Sequence, residues 1–176
     1  MKNIILASLL FLCPLTINAM SIQDDIKYME ECAKLAQVRK FKGNPNFKSK
    51  FNISNQTPLM EAAAFYNKHS DPTIALQHLI AMRADVNMQD NQGFTALDKA
   101  ILLQTMSDTL LKIGINDYDR ALQPTRKIRF LLTAGANPLI RNNENGTCAL
   151  QNAQELHDPQ LRKEIENAAR KFSAKL

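Results

Sequence analysis

The residues able to do chemistry in this chain are few and far apart. Its three histidines, His69, His78 and His157, lack the His-x-x-x-His or Cys/His spacing that turns two ligands toward one metal ion. Cys13 lies in an apolar run at the N-terminus, and neither Cys32 nor Cys148 has a cysteine close by for a redox pair. A nucleophilic serine would call for a Gly-x-Ser-x-Gly elbow, and a bound phosphate for a glycine-rich loop. Neither occurs, and there are only five glycines in all. His78 stands among apolar neighbours on a helical stretch and reads as a packed or edge histidine. The expectation is a protein that is not an enzyme, with no catalytic residue, no metal ligand and no cofactor.

Charge and composition narrow the partners. At 176 residues with 45% hydrophobic content, the chain has the size and composition of about one globular domain. The formal charge is +5, and most of the excess falls on Lys34, Arg39, Lys40, Lys42, Lys48 and Lys50. Such a run can attract phosphate or anionic lipid. No zinc-ligand spacing, RNA-binding aromatic motif or recognition helix accompanies it, so it reads as a solvated face and no nucleic-acid partner is expected. Lys2 followed by the apolar run Ile4 to Leu12, with Ile17-Asn18-Ala19 as a cleavage tripeptide, reads as a signal peptide over residues 1–19. Export to the periplasm or medium of a bacterium is the expectation, with no membrane span once the signal is removed.

One motif recurs. Thr57-Pro58-Leu59-Met60-Glu61-Ala62-Ala63 is echoed by Gly93-Phe94-Thr95-Ala96-Leu97-Asp98-Lys99-Ala100 and again by Gly146-Thr147-Cys148-Ala149-Leu150-Gln151-Asn152-Ala153. Arg83-Ala84-Asp85-Val86-Asn87 and Gly135-Ala136-Asn137-Pro138 follow apolar runs at matching places. From about residue 55 onward the chain resembles the ankyrin repeat family, whose unit is a β-turn and two helices with a Thr-Pro-Leu-His-x-Ala signature. The resemblance implies an all-α solenoid of three repeats, about 55–92, 93–145 and 146–176. Residues 20–54 would supply an N-terminal capping helix and loop.

Local signals place the helices. Ile22, Ile26, Met29, Ala33 and Ala36 form one apolar stripe after Ser21, giving the capping helix over 21–41, with Gly43-Asn44-Pro45-Asn46 faintly echoing the later corner. Asp71-Pro72, Gln123-Pro124 and Asp158-Pro159 read as helix starts with proline in the first turn. Pro72 precedes Arg83 by eleven residues and Pro124 precedes Gly135 by eleven, so two landmarks agree on register. Arg83 stands where the family has glycine, which predicts a strained or reshaped corner. Thr57 to Thr95 spans 38 residues and Thr95 to Cys148 spans 53, against about 33 for the family unit. The larger excess, residues 102–123, carries Leu102, Leu103, Met106, Leu110, Leu111 and Ile113, and predicts a lengthened first helix or an extra turn capped by Ser107, with Gly114 as the stop.

The resemblance implies binding of another protein on the concave finger and inner-helix face. The positions it marks are Met88, Gln89, Asn91, Gln92 and Phe94 at one finger tip, and Arg141, Asn142, Asn143 and Glu144 at the next. Asp98 and Lys99 line the helix side, with Met60, Glu61, Gln151 and Asn152. Phe94 is the candidate anchor, packing between fingers being the other reading. Two alternatives stay open: a periplasmic protein holding a small anion or an enzyme with the 34–50 segment and the 102–123 insert, and a secreted effector that binds host proteins. Met60, Asp98 and Gln151 stand at the signature histidine, so that polar network is weakened or rebuilt. A monomer is expected, with Cys32 and Cys148 unpaired because two repeats separate them.

Overall fold

The computed structural model describes residues 43–48, 55–65, 71, 73–114 and 118–174. The segments read from sequence as a signal peptide (1–19) and a capping helix (21–41), and Pro72, lie outside the described residues. Among those described, six α-helices and no strand form an all-α, ankyrin-like fold: α1 (Pro58–Ala64), α2 (Ile74–Ala81), α3 (Ala96–Lys112), α4 (Tyr118–Thr133), α5 (Ala149–Asn152) and α6 (Pro159–Ser173), with a 3-10 turn at Ala153–Glu155. They stack as helix pairs. α1 packs on α2 and α3, α3 on α4 and α5, and α4 on α2 and α6. The core runs between the layers through Leu59, Leu76, Leu79, Leu97, Ile101, Ile128, Leu131, Leu161 and Ile165. No pair buries its own apolar side; each needs its neighbour.

The three repeated motifs are helix starts. Thr57 Oγ1 accepts from Met60 N at 3.4 Å, and Thr95 Oγ1 from Asp98 N at 3.3 Å. The third residue of each helix returns the favour: Met60 Sδ, Asp98 Oδ2 and Gln151 Oε1 accept from the N–H of Thr57, Thr95 and Cys148 at 3.5, 2.8 and 3.1 Å. The signature network is thus rebuilt with three different acceptors, each closing a reciprocal cap. Asp158 caps α6 as its Asp-Pro sequence predicts, accepting from Gln160 N at 2.9 Å with Pro159 in the first turn. Pro124 departs from expectation. It lies inside α4, because the helix already begins at Tyr118; the insert supplies the preceding turns, and the proline costs α4 one N–H donor.

The corners match in detail. Gly135 N donates to Leu132 O at 3.1 Å and Ala136 N to Leu131 O at 2.9 Å, with Gly135 at φ +92°. Arg83 N and Ala84 N repeat this on Ile80 O and Leu79 O at 2.9 and 3.0 Å, with Arg83 at φ +67°. The arginine keeps the glycine geometry rather than reshaping the turn, and so bears the left-handed strain. Beyond each corner an Asx turn follows: Asn44, Asp85 and Asn137 accept through Oδ1 from the N–H two residues on, at 2.9, 2.9 and 3.0 Å. Gly43–Asn46 therefore carries the same Asx turn. Asn46 reaches forward to Arg83 O (3.3 Å) and Asp85 N (2.7 Å), and Asn87 to Gly135 O (3.3 Å) and Asn137 N (2.7 Å). Leu139, at the next equivalent place, ends this amide ladder.

Candidate interaction face

The insert lengthens α3 at its end and α4 at its start. α3 runs seventeen residues to Lys112 and stops at Gly114, whose N–H donates to Leu111 O at 3.1 Å with φ +84°. Ser107 caps nothing; its hydroxyl donates back to Leu103 O at 2.9 Å. One side of the extension is pinned by buried polar groups. Gln104 Nε2 donates to Asp108 Oδ1 (2.8 Å), Thr125 Oγ1 to Gln104 Oε1 (2.8 Å), and His157 N to Asp108 Oδ2 (2.9 Å). The network ties α3 to α4 and to the turn before α6. The other side faces out. Leu102, Met106 and Ile113 are 42, 59 and 66% exposed. Steps of four and seven put them on one helical stripe.

The finger tips are built by one acidic or amide side chain each. Asp90 Oδ1 accepts from Gln92 N (3.0 Å) and Phe94 N (2.9 Å), while its Oδ2 meets Lys99 Nζ at 2.9 Å. Asn142 Oδ1 accepts from Glu144 N (3.2 Å) and Asn145 N (3.0 Å), and Asn142 Nδ2 donates to Thr147 Oγ1 (3.0 Å). The tips lean on each other: Asn143 N donates to Gln92 O at 2.8 Å, and Gln89 Nε2 to Gly93 O and Arg141 O at 2.7 and 2.9 Å. Two residues before each cap the chain turns left-handed, at Asn55 (φ 54°), Gly93 (φ 83°) and Gly146 (φ 70°). Gly93 is also crowded: a Cβ there would stand 2.6 Å from Asn143 N.

This geometry sorts the residues marked from sequence. Asn91, Gln92, Arg141, Asn143 and Glu144 are exposed, and Met88, Gln89, Glu61 and Lys99 are half-buried. Phe94 is 9% exposed, and Lys99 Nζ sits 4.7 Å from its ring centroid. Asp98 and Asn142 are off the surface too, spent on the cap and on the tip. Burial pushes the Asp98 carboxyl above its ordinary range, against the pull of the two Thr95 hydrogen bonds. Sequence reasoning named Leu102, Met106 and Ile113 as part of an insert but not as an exposed face. Their shared periodicity was the available signal. Cys148 is a buried free thiol. Among the described residues no His, Cys, Asp and Glu cluster could hold a metal ion, and no helix is long and apolar enough to cross a membrane.

Residues 54–91 match the family model of the ankyrin repeat. That span takes in α1, α2, the Arg83 corner and the start of the first tip; the corner geometry recurs at Gly135 and the tip at Asn142. Ankyrin repeats generally mediate protein–protein interaction. No curated protein matches the chain.

Proposed function

We propose that the chain is a non-catalytic interaction module of three ankyrin-like repeats that binds one protein partner along its finger tips and inner-helix side. The observation that carries this reading is the exposed stripe of Leu102, Met106 and Ile113 along α3 and its C-terminal cap. Large apolar side chains gathered on one helical face are costly to leave in water and are what a partner covers. The exposed polar tips Asn91, Gln92, Arg141, Asn143 and Glu144 supply further donors and acceptors at the other end of this surface, before the start of α3. Residues 1–19 would export the chain, and N-terminal sequencing of the secreted or periplasmic form tests cleavage after Ala19.

The full chain serves as bait against the envelope fraction and the culture medium, as wild type, as Met106→Glu and as Lys48→Gln. The stripe variant should lose partners that the wild type captures, while Lys48→Gln should change mainly the salt at which they elute. If Lys48→Gln loses the partner and Met106→Glu keeps it, the binding is to an anion through the basic segment and the reading is wrong.

A further inference from the structure

Lys127 projects from α4 into the interior and is 2% exposed. Its ammonium donates to the carbonyls of Ala62 (2.7 Å), Ala63 (3.2 Å) and Phe65. These lie at the C-terminal end of α1, where Phe65 leaves the helix in an extended conformation at φ −76° and ψ 129°. An ammonium carries three N–H groups, and here each has its own carbonyl. Among the described ion pairs none involves Lys127. A buried charge without a counter-charge is costly, and the partial negative charge of a helix C-terminus offsets only part of it.

The placement explains what is gained. α1 and α4 belong to different helix pairs and stand diagonally: α1 packs on α2 and α3, and α4 packs on α2, α3 and α6. The Lys127 side chain reaches from α4 to the end of α1 and so closes the diagonal. It also gives partners to carbonyls that a helix end leaves over. Stability in a repeat array is shared between each unit and its contacts with the next, so one interior contact across the seam can decide whether a unit opens alone or with the whole.

We propose that Lys127 is a latch coupling the first helix pair to the rest of the stack, and that without its N–H donors α1 and α2 open as a separate unit. Amide hydrogen exchange on the full chain tests this, comparing wild type with Lys127→Met, which keeps the length and removes the donors. The amides of Ala62, Ala63, Leu76 and Leu79 should exchange faster by on the order of tenfold or more, because buried carbonyls lose their donors. Those of Ile165 and Ala169 in α6 should change by less than about twofold, as for sites with no shared partner. Lys127→Gln, with two N–H donors, should restore part of the protection in α1. An even acceleration through all six helices overturns the proposal, and so does no change in α1. Failure of both variants to fold overturns it as well, since Lys127 would then hold the whole chain rather than one seam.

Discussion

α1 and α3 begin alike and end differently. Each opens on a threonine whose hydroxyl and N–H are closed by the third helical residue, and each buries a leucine at its second position, Leu59 or Leu97. After that, α1 stops at seven residues and α3 continues to seventeen. The carbonyls at the end of α1 are met by Lys127 from across the stack, whereas α3 runs on until Gly114 turns it. The beginning of a helix in this fold is a local matter of caps. Where it ends depends on what stands opposite. The extra turns of α3 also have no counterpart in α1 or α5 to cover them, and so a helix that starts as a copy becomes the exposed apolar edge of the molecule.

Four perturbations break or sharpen that contrast, in order of expected size. Leu59→Ala and Leu97→Ala remove equivalent core side chains, and each should cost about 2–5 kcal/mol in urea unfolding. A loss near zero at Leu59 alone would mean that the first pair contributes nothing to the cooperative unit. Next comes pH. Burial lowers the Lys127 pKa from its ordinary 10.5 to about 8. Between about 8 and 10.5 the unfolded chain therefore binds the extra proton, and stability should rise with pH across that window by on the order of a few kcal/mol. Lys127→Met should show no such rise, as followed by urea midpoints at pH 7.5, 9 and 10.

The glycines before the caps give a finer comparison. Gly93→Ala meets both a left-handed backbone and the neighbouring finger, with 2.6 Å to Asn143 N, and should cost about 1–3 kcal/mol or more. Gly146→Ala, with nothing within 4 Å of the added carbon, should cost only the backbone strain, about 1 kcal/mol. Thermal melts of the two variants separate crowding from conformation; equal losses would mean the fingers do not press on each other. Smallest is the stripe: Met106→Ser and Ile113→Ser should change stability by less than about 0.5 kcal/mol, because both side chains are mostly exposed.

Much of this fold was legible because its signals are local. Thr57, Thr95 and Asp158-Pro159 announce helix starts, and Gly135 announces a corner, through hydrogen bonds made within a few residues. Lys127 could not be read that way: its acceptors lie 62 to 65 residues away and are backbone carbonyls, which leave no trace in side-chain pattern. Pro124 misled because a first-turn proline and an interior one differ only in what precedes them, and the inserted turns precede this one. The marked tip residues divided for a related reason. Phe94 and Asn142 sit in a finger sequence that suggests exposure, but Lys99 lies over the Phe94 ring and Asn142 is bonded to Thr147 and its own tip's backbone. The periodicity of Leu102, Met106 and Ile113 put them on one side of a helix; that this side is bare follows only from the shortness of α1 and α5.

The measurement that bears most directly on function is the affinity of a captured partner for two matched variants, one on each inner helix. Met106→Glu changes the exposed side of the long helix, and Glu61→Ala changes the half-buried side of the short one. By titration calorimetry, Met106→Glu should weaken binding by on the order of a hundredfold, as loss of an apolar anchor does. Glu61→Ala should weaken it by less than about threefold, the usual effect of a charge at the rim. Equal effects, or a larger one at Glu61, would contradict the claim that the lengthened helix carries the binding edge.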